Sequence, residues 1–352
     1  MGIEILRGAI FGGMTGDSIG LPYEGVSFRR QKKLFKNIAK HNFFIGKGVI
    51  SDDTEHLLLT AYALGKSGGN EEEFEKELAK GLKEWFLTLP FGIGMATLKS
   101  CIKLLIGISP KKSGVFSAGN GPAMRSPVIG ICFGDNKEKM VTLNKISSRI
   151  THTDEKAEIG SLCIAMAAHI SSINKSEIKP VEFLNELKDI LNGYNAVEFI
   201  KLMEETVESV DKNEDTKEFI IKKGWKNGVS GYIYQTVPAV IHCWLRNQND
   251  YKKGVIEIIE CGGDTDTTAA ILGAIIGAKT GKESIPADWR ENIVSWPYTE
   301  KYIETLLKEF DRGVSGNKFN VKKPLFLLVT IRNLLLYPLV LGHGFRRLLP
   351  PF

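Results

Sequence analysis

The sequence predicts an all-α protein, and three observations carry that prediction. Apolar residues recur with a helical period. Across residues 72–85, Phe74, Leu78, Leu82 and Trp85 share one stripe with charges opposite. Residues 159–170 and 267–278 are small, apolar and long enough for buried helices that pack closely. No series of alternating apolar and polar residues between turn signals marks a sheet.

The elements follow in chain order. Residues 8–20 form an apolar, glycine-rich run. Its Gly12-Gly13-Met14-Thr15-Gly16 stretch invites a dinucleotide-binding reading, rejected because no strand precedes it and no βαβ unit surrounds it. Leu21-Pro22-Tyr23-Glu24 is a loop bracketed by Gly20 and Gly25, and Glu24 alone reads as a surface residue. Arg29-Arg30-Gln31-Lys32-Lys33 reads as a solvated loop. Ser51-Asp52-Asp53-Thr54 precedes Leu57-Leu58-Leu59 and marks a helix start, for which capping alone is sufficient reason.

Gly119-Asn120-Gly121-Pro122-Ala123-Met124-Arg125 is a turn leading into a helix. It can aim backbone N–H groups at phosphate or be an ordinary Asn-Gly turn, and the local sequence leaves both open. Thr151-His152-Thr153-Asp154 opens the next helix, with His152 either a ligand contact or a satisfied hydrogen-bonding side chain. Residues 181–191 and 199–210 are amphipathic. Trp225, Trp244, Tyr232 and Tyr234 read as core or rim.

Gly262-Gly263-Asp264-Thr265-Asp266-Thr267-Thr268 is the most telling block. One aspartate would suffice to cap the helix that follows. Two, with Thr267 beside them and a Gly-Gly pair permitting close backbone approach, point to metal ligands. Crowded anionic oxygens are costly without a cation, and oxygen-only donors suit magnesium, manganese or calcium, not zinc. The Ser51–Thr54 block repeats this composition and supplies a plausible second wall for two ions about 3.5–4 Å apart.

Asp311-Arg312-Gly313-Val314-Ser315-Gly316-Asn317 reads as a linker. It divides a main helical domain, 1–311, from an apolar helical extension, 312–352. Residues 324–341 are strongly apolar and flanked by Lys322-Lys323 and Arg346-Arg347. Arg332 and Asn333 lie mid-segment and Pro338 interrupts it. An arginine at the centre of a membrane span costs about 2.5–3.5 kcal/mol on insertion scales. The expected order is docking on the core or on a partner chain, then a weak interfacial membrane contact, then a span.

At 352 residues and 43% hydrophobic, the chain can bury a sizeable core. The net charge of +5 is modest, and without a dense Lys/Arg stripe no nucleic-acid partner is expected. Five widely spaced cysteines with no CxxC pair read as buried thiols in a reducing compartment. Glu4 in the first apolar stretch argues against a secretory signal, and a cytoplasmic location is expected.

Taken together, the blocks Gly8–Gly12 through Gly16–Gly20, Pro22-Tyr23-Glu24, Ser51–Thr54, Gly119–Gly121 with Ala123-Met124-Arg125, Thr151-His152, Thr236–Ala239 and Gly262–Thr268 resemble the ordered motif series of the ADP-ribosylglycohydrolases. The resemblance covers most of the chain. It implies a compact all-α domain with a binuclear magnesium or manganese centre in a cleft. Ser51, Asp52 and Asp53 would be ligands on one side and Asp264, Asp266 and Thr267 on the other. Gly119, Asn120 and Gly121 would shape the pocket for the ADP-ribose phosphates and distal ribose, with His152 at its wall. Glu24, on a mobile loop at the metal edge, and Asp53 would be the catalytic carboxylates. Ser51 stands where threonine is common, and His56 stands where the family has a smaller or apolar residue, close to the metals.

The resulting reading is a metal-dependent hydrolase that releases ADP-ribose from a modified protein side chain or small acceptor. The alternative is a non-catalytic ADP-ribose or nucleotide binder, or a structural protein, on the same fold.

Overall fold

The computed structural model describes residues 2–35 and 37–350. Helices dominate them, and strands are limited among these residues to four two-residue segments in two small pairs. The helices expected from periodicity are present as Glu71–Leu87, Glu155–Ile173, Pro180–Ile190, Val197–Asp211 and Thr265–Thr280. Caps extend two of them beyond their apolar stripes: Asn70 Oδ1 accepts from Glu73 N at 3.0 Å, and Asp154 Oδ1 from Lys156 N at 2.9 Å.

The glycines that invited a nucleotide reading build the centre of the fold instead. Helix Ile3–Gly20 runs antiparallel to Thr265–Thr280 with backbones in contact. A Cβ at Gly12 would lie 2.2 Å from the Gly273 carbonyl oxygen, and one at Gly16 2.0 Å from that of Ala269. Any side chain there would wedge the helices apart. Because the pair is antiparallel, Gly20 ends against Thr265 and Asp266. The close packing therefore sets the Glu24 turn beside the Asp264–Thr267 block.

The expected linker begins later than the glycine and serine content suggests. Helix Glu300–Val314 includes Asp311 to Val314, with Ile303, Leu306, Leu307 and Phe310 buried along it. Gly313 is a helix contact: a Cβ there would lie 1.9 Å from the Gly65 carbonyl oxygen. Coil follows from Ser315, tied down where Asn320 N donates to Glu309 Oε2 at 3.0 Å.

The final helix, Phe326–Leu348, runs through Pro338 without breaking. Pro338 and Leu334 face solvent, so water can take the carbonyl that the proline leaves free. Among the described residues it is the one helix long and apolar enough to cross a membrane. Its inner face is docked, however, through Val329, Arg332, Asn333 and Leu336. Arg332 donates to the Glu55 carboxylate and, at 2.5 Å, to the Ile50 carbonyl. Asn333 Nδ2 donates to the Thr88 carbonyl at 2.9 Å. Leu336 joins Leu21, Phe43, Val49 and Phe91 in a small second core.

Arg332 and Glu55 are 5% and 2% exposed, so neither charge has water to fall back on. Arg332→Ala is expected to cost about 3–5 kcal/mol in urea unfolding, the usual penalty for stranding one buried charge. The double change Arg332→Met with Glu55→Gln should recover much of that loss. A loss below about 1 kcal/mol, as for an exposed pair, would show that the tail is not docked this way.

Candidate active site

Ser51 caps helix Asp52–Ser67: its Oγ accepts from Asp53 N at 3.2 Å and donates to Asp53 Oδ2 at 3.3 Å. Behind it lies Asp17, the one carboxylate among the buried residues of helix Ile3–Gly20. Asp17 accepts from Ser51 N at 2.9 Å, from Thr54 N at 3.3 Å and from the Thr54 hydroxyl. It fixes the start of the aspartate helix, a role no local pattern announces. Its one sequence signal is an acid amid glycine and apolar neighbours. Arg332, on the Ile50 carbonyl, braces the same turn from the other side.

The second block enters through a backbone crossing. Gly262 and Gly263 have φ of 71° and 87°. Gly263 pairs with Val26, and a Cβ on it would lie 2.0 Å from the Val229 carbonyl oxygen. Asp264 occupies the N-cap of Thr265–Thr280, yet its side chain makes no capping bond. Its Oδ2 instead accepts from Asn120 Nδ2 at 2.7 Å. Capping is therefore not what holds this carboxylate.

The two acidic blocks meet. Thr267 Oγ1 donates to Asp53 Oδ2 at 3.1 Å across 214 positions of sequence. Together with Glu24, Asp52, Asp264, Asp266, Gly119, Asn120, Gly121 and His152 they line one cleft of about 580 Å³. Ser51 does not line it; its hydroxyl stays within the cap. Gly92, Thr97, Ser117, Asn227 and Ser230 also line the cleft and were not singled out from sequence, since isolated small polar residues carry no pattern.

His152 forms a support under the Gly119–Gly121 turn. Its Nδ1 meets Thr151 Oγ1 at 2.8 Å, and a Cβ on Gly119 would lie 2.9 Å from its Nε2. Burial, reinforced by the Arg125 guanidinium, lowers its pKa to about 3, so it is a neutral wall residue at physiological pH. His56 is not at the cleft surface. It is fully buried, stacks edge-on to Trp85 at 4.4 Å and accepts from Arg125 Nη1 at 3.3 Å. Burial and Arg125 hold it neutral as well. Arg125 anchors this layer, donating to Ser147 O and Thr151 Oγ1, each at 2.8 Å.

The donor chemistry fits hard divalent cations. Asp53 Oδ1 and Asp266 Oδ1 are buried without a hydrogen-bond partner. Asp52, Asp53 and Asp266 all have raised pKa values, first through burial and then through the charges of neighbouring carboxylates. Asp17 is pushed up to about 6 by burial, against the hydrogen bonds it accepts. Helices Asp52–Ser67, Met95–Leu105, Gly121–Phe133 and Thr265–Thr280 point their N-termini at the cleft, which partly offsets the negative charge. Among the described residues no three His, Cys, Asp or Glu side chains converge into a closed ligand shell; the oxygens are spread along two walls.

A pH effect follows. Carboxylates with raised native pKa values keep their protons in the folded protein at pH values where the unfolded chain has released them. Without metal, stability therefore falls as pH rises from the ordinary carboxylate range through the raised values. A divalent cation bound by these carboxylates would displace those protons. The gain in Tm on adding magnesium should grow with pH across this window, and calorimetry in buffers of different ionisation heat should report proton release. A pH-independent gain would exclude the aspartates as the binding groups.

Comparison with known proteins agrees with this architecture. The family profile for ADP-ribosylglycohydrolase matches residues 3–315. ADP-ribosylhydrolase ARH3 of Gallus gallus is 25% identical over 85% of this chain and 92% of its own. The human ADP-ribosylhydrolase ARH3 is 23% identical over 87% and 94%. An uncharacterized protein of Archaeoglobus fulgidus is 28% identical over 86% and 96%. A solved structure, an ADP-ribosylglycohydrolase-related protein complex, shares the fold with a TM-score of 0.63 at 20% identity, over 89% of this chain and 98% of that one. With its central glycine-packed helix pair and its acidic blocks facing one cleft, the chain belongs to the ADP-ribosylglycohydrolase family.

Proposed function

We propose that this protein hydrolyses the glycosidic bond between ADP-ribose and a modified side chain or small acceptor in the cytoplasm. The observation that carries this reading is the Thr267–Asp53 contact, which brings two oxygen clusters to one cleft with unpaired carboxylate oxygens. Asp52, Asp53, Asp264, Asp266 and Thr267, with Ser51 behind them, would hold two magnesium or manganese ions. When bound, the ions supply Lewis-acid stabilisation of charge on ribose oxygens.

The chain's own residues account for the rest. Among the described residues no lysine or arginine lines the cleft. An anionic diphosphate would therefore be held by the Gly119 and Gly121 N–H groups, since Asn120 N–H is taken by the Gly231 carbonyl and Pro122 has none. Asn120 also donates to Asp264, coupling that turn to the acidic wall. Neutral His56 and His152 are unsuited to carry a proton at physiological pH, which leaves Glu24 as the base at the cleft edge. Glu24 takes a proton from water as the water oxygen bonds to the anomeric carbon. The bond from that carbon to the acceptor breaks, its electron pair leaves on the acceptor atom, and that atom takes up a proton from solvent while Glu24 returns its own to solvent.

The test is mass spectrometry of products from acceptors carrying ADP-ribose on arginine, on serine, on a nucleic-acid end or on an O-acetyl ester, with magnesium or manganese present. Free ADP-ribose from at least one acceptor is expected. Free ADP-ribose should also raise the Tm in a metal-dependent way, because it binds only the native state. A metal-dependent shift without turnover would make the protein a binder, and release of phosphate would make it a phosphohydrolase.

A further inference from the structure

The helix Phe326–Leu348 lies beyond the residues matched by the family profile. Its inner face is occupied by the body of the protein and its outer face is not. Leu327, Ile331, Leu334, Leu335, Leu341 and Phe345 form one stripe at helical spacing, with Leu335 67% and Phe345 65% exposed. An apolar face of this length on a well-docked helix needs an occupant.

Charge identifies it. No Asp or Glu occurs in residues 312–352. Arg312, Lys323, Arg332 and Arg347 face Glu309, Glu84, Glu55 and Glu24 of the body, whereas Lys318, Lys322 and Arg346 are exposed. Exposed Lys322 and Arg346 stand near opposite ends of the apolar stripe. The end of the tail also touches the basic helix Phe28–Leu34: Arg30 Nη2 donates to the Leu349 carbonyl at 2.6 Å, and Arg346 lies 5.4 Å over the Phe35 ring. Arg29 and Lys32 on that helix are exposed. Beside the tail, Phe43 stacks on His343 at 4.6 Å. The adjoining turn holds Ile45 at φ 46° and 85% exposed, an unfavourable backbone region for a β-branched residue.

We propose that this face binds an anionic membrane surface, with the helix lying in the plane of the interface and the cleft carried on the membrane-bound body. An apolar stripe with basic ends and no acidic residue is the composition of an interfacial helix. Two copies meeting through this face would set basic residues against basic residues in either orientation, with no acid in the tail to neutralise them. A span is excluded because the helix is pinned by Arg332 to Glu55 and Ile50, and insertion would strand both charges.

The test is flotation of the full-length protein with vesicles of phosphatidylcholine containing phosphatidylserine, and with phosphatidylcholine alone, at low and high salt. Binding to the anionic vesicles only, released by high salt, is expected. Lys322→Glu with Arg346→Glu should lower the bound fraction by roughly 10-fold or more, since each basic residue near an anionic leaflet contributes roughly fivefold. Leu334→Glu with Leu335→Glu, both at exposed positions, should abolish binding while leaving thermal unfolding and hydrolysis of a soluble substrate unchanged. Absence of binding by the folded protein, equal binding to neutral vesicles, or resistance to carbonate extraction would overturn the proposal. So would a concentration-dependent dimer that Leu335→Glu dissociates.

Discussion

Asp53→Ala and Asp264→Ala are each expected to abolish saturable binding of magnesium and manganese in calorimetry and to reduce turnover on any ADP-ribosylated acceptor by ~10³-fold or more. The magnitude follows from the chemistry, since metal ions contribute several kcal/mol of charge stabilisation and about 1.4 kcal/mol is tenfold in rate. The two residues test different walls. Asp53 sits at the junction, accepting from Ser51 and Thr267 while its Oδ1 is unpaired. Asp264 contributes no capping bond to its helix and is held by Asn120. Neither change is expected to unfold the protein: each removes one charge from a crowded acidic cluster, and metal-free stability should stay level or rise. Undiminished metal binding in both variants would refute the assignment of the cleft.

Glu24→Gln is expected to lower kcat by about 10²–10⁴-fold, the usual range for general-base assistance, with ADP-ribose affinity largely kept. Glu24 follows the turn Leu21–Tyr23 and stands at the cleft edge, with its Oε2 3.6 Å from Arg347 Nη1. Burial and the neighbouring Asp264 charge raise its pKa, while Arg347 opposes them. The acid limb of the wild-type pH–rate profile should therefore lie above the ordinary carboxylate range, and the limb should vanish in the glutamine variant. Near-normal turnover would reduce Glu24 to a positioning residue.

Much of this protein was legible in its sequence. The 3.6-residue period of Phe74, Leu78, Leu82 and Trp85 fixes a helix whatever surrounds it, because one stripe must be buried. Asp264, Asp266 and Thr267 stood out because oxygen donors at that density exceed what a helix cap needs, and the structure places all three on the cleft. Other features were misleading because their local chemistry is ambiguous. Gly313 serves a linker or a helix contact equally well, and only the proximity of Gly65 distinguishes them. Pro338 ends a helix in isolation, but it is tolerated where its unpaired carbonyl meets solvent.

The sequence by itself determined the helical class, the two acidic blocks and the apolar, acid-free tail, since composition and period are local properties. Only the tertiary structure decided that Asp53 meets Thr267, that Asp17 and Arg332 brace the turn that carries Asp52 and Asp53, that His56 lies behind the wall, and that Arg347 reaches Glu24. Each of those contacts joins residues far apart in the chain or hidden by an ambiguous neighbour. The close approach of two glycine-lined helices sets the Glu24 turn beside the Asp264–Thr267 block, and that distance is one no single segment encodes.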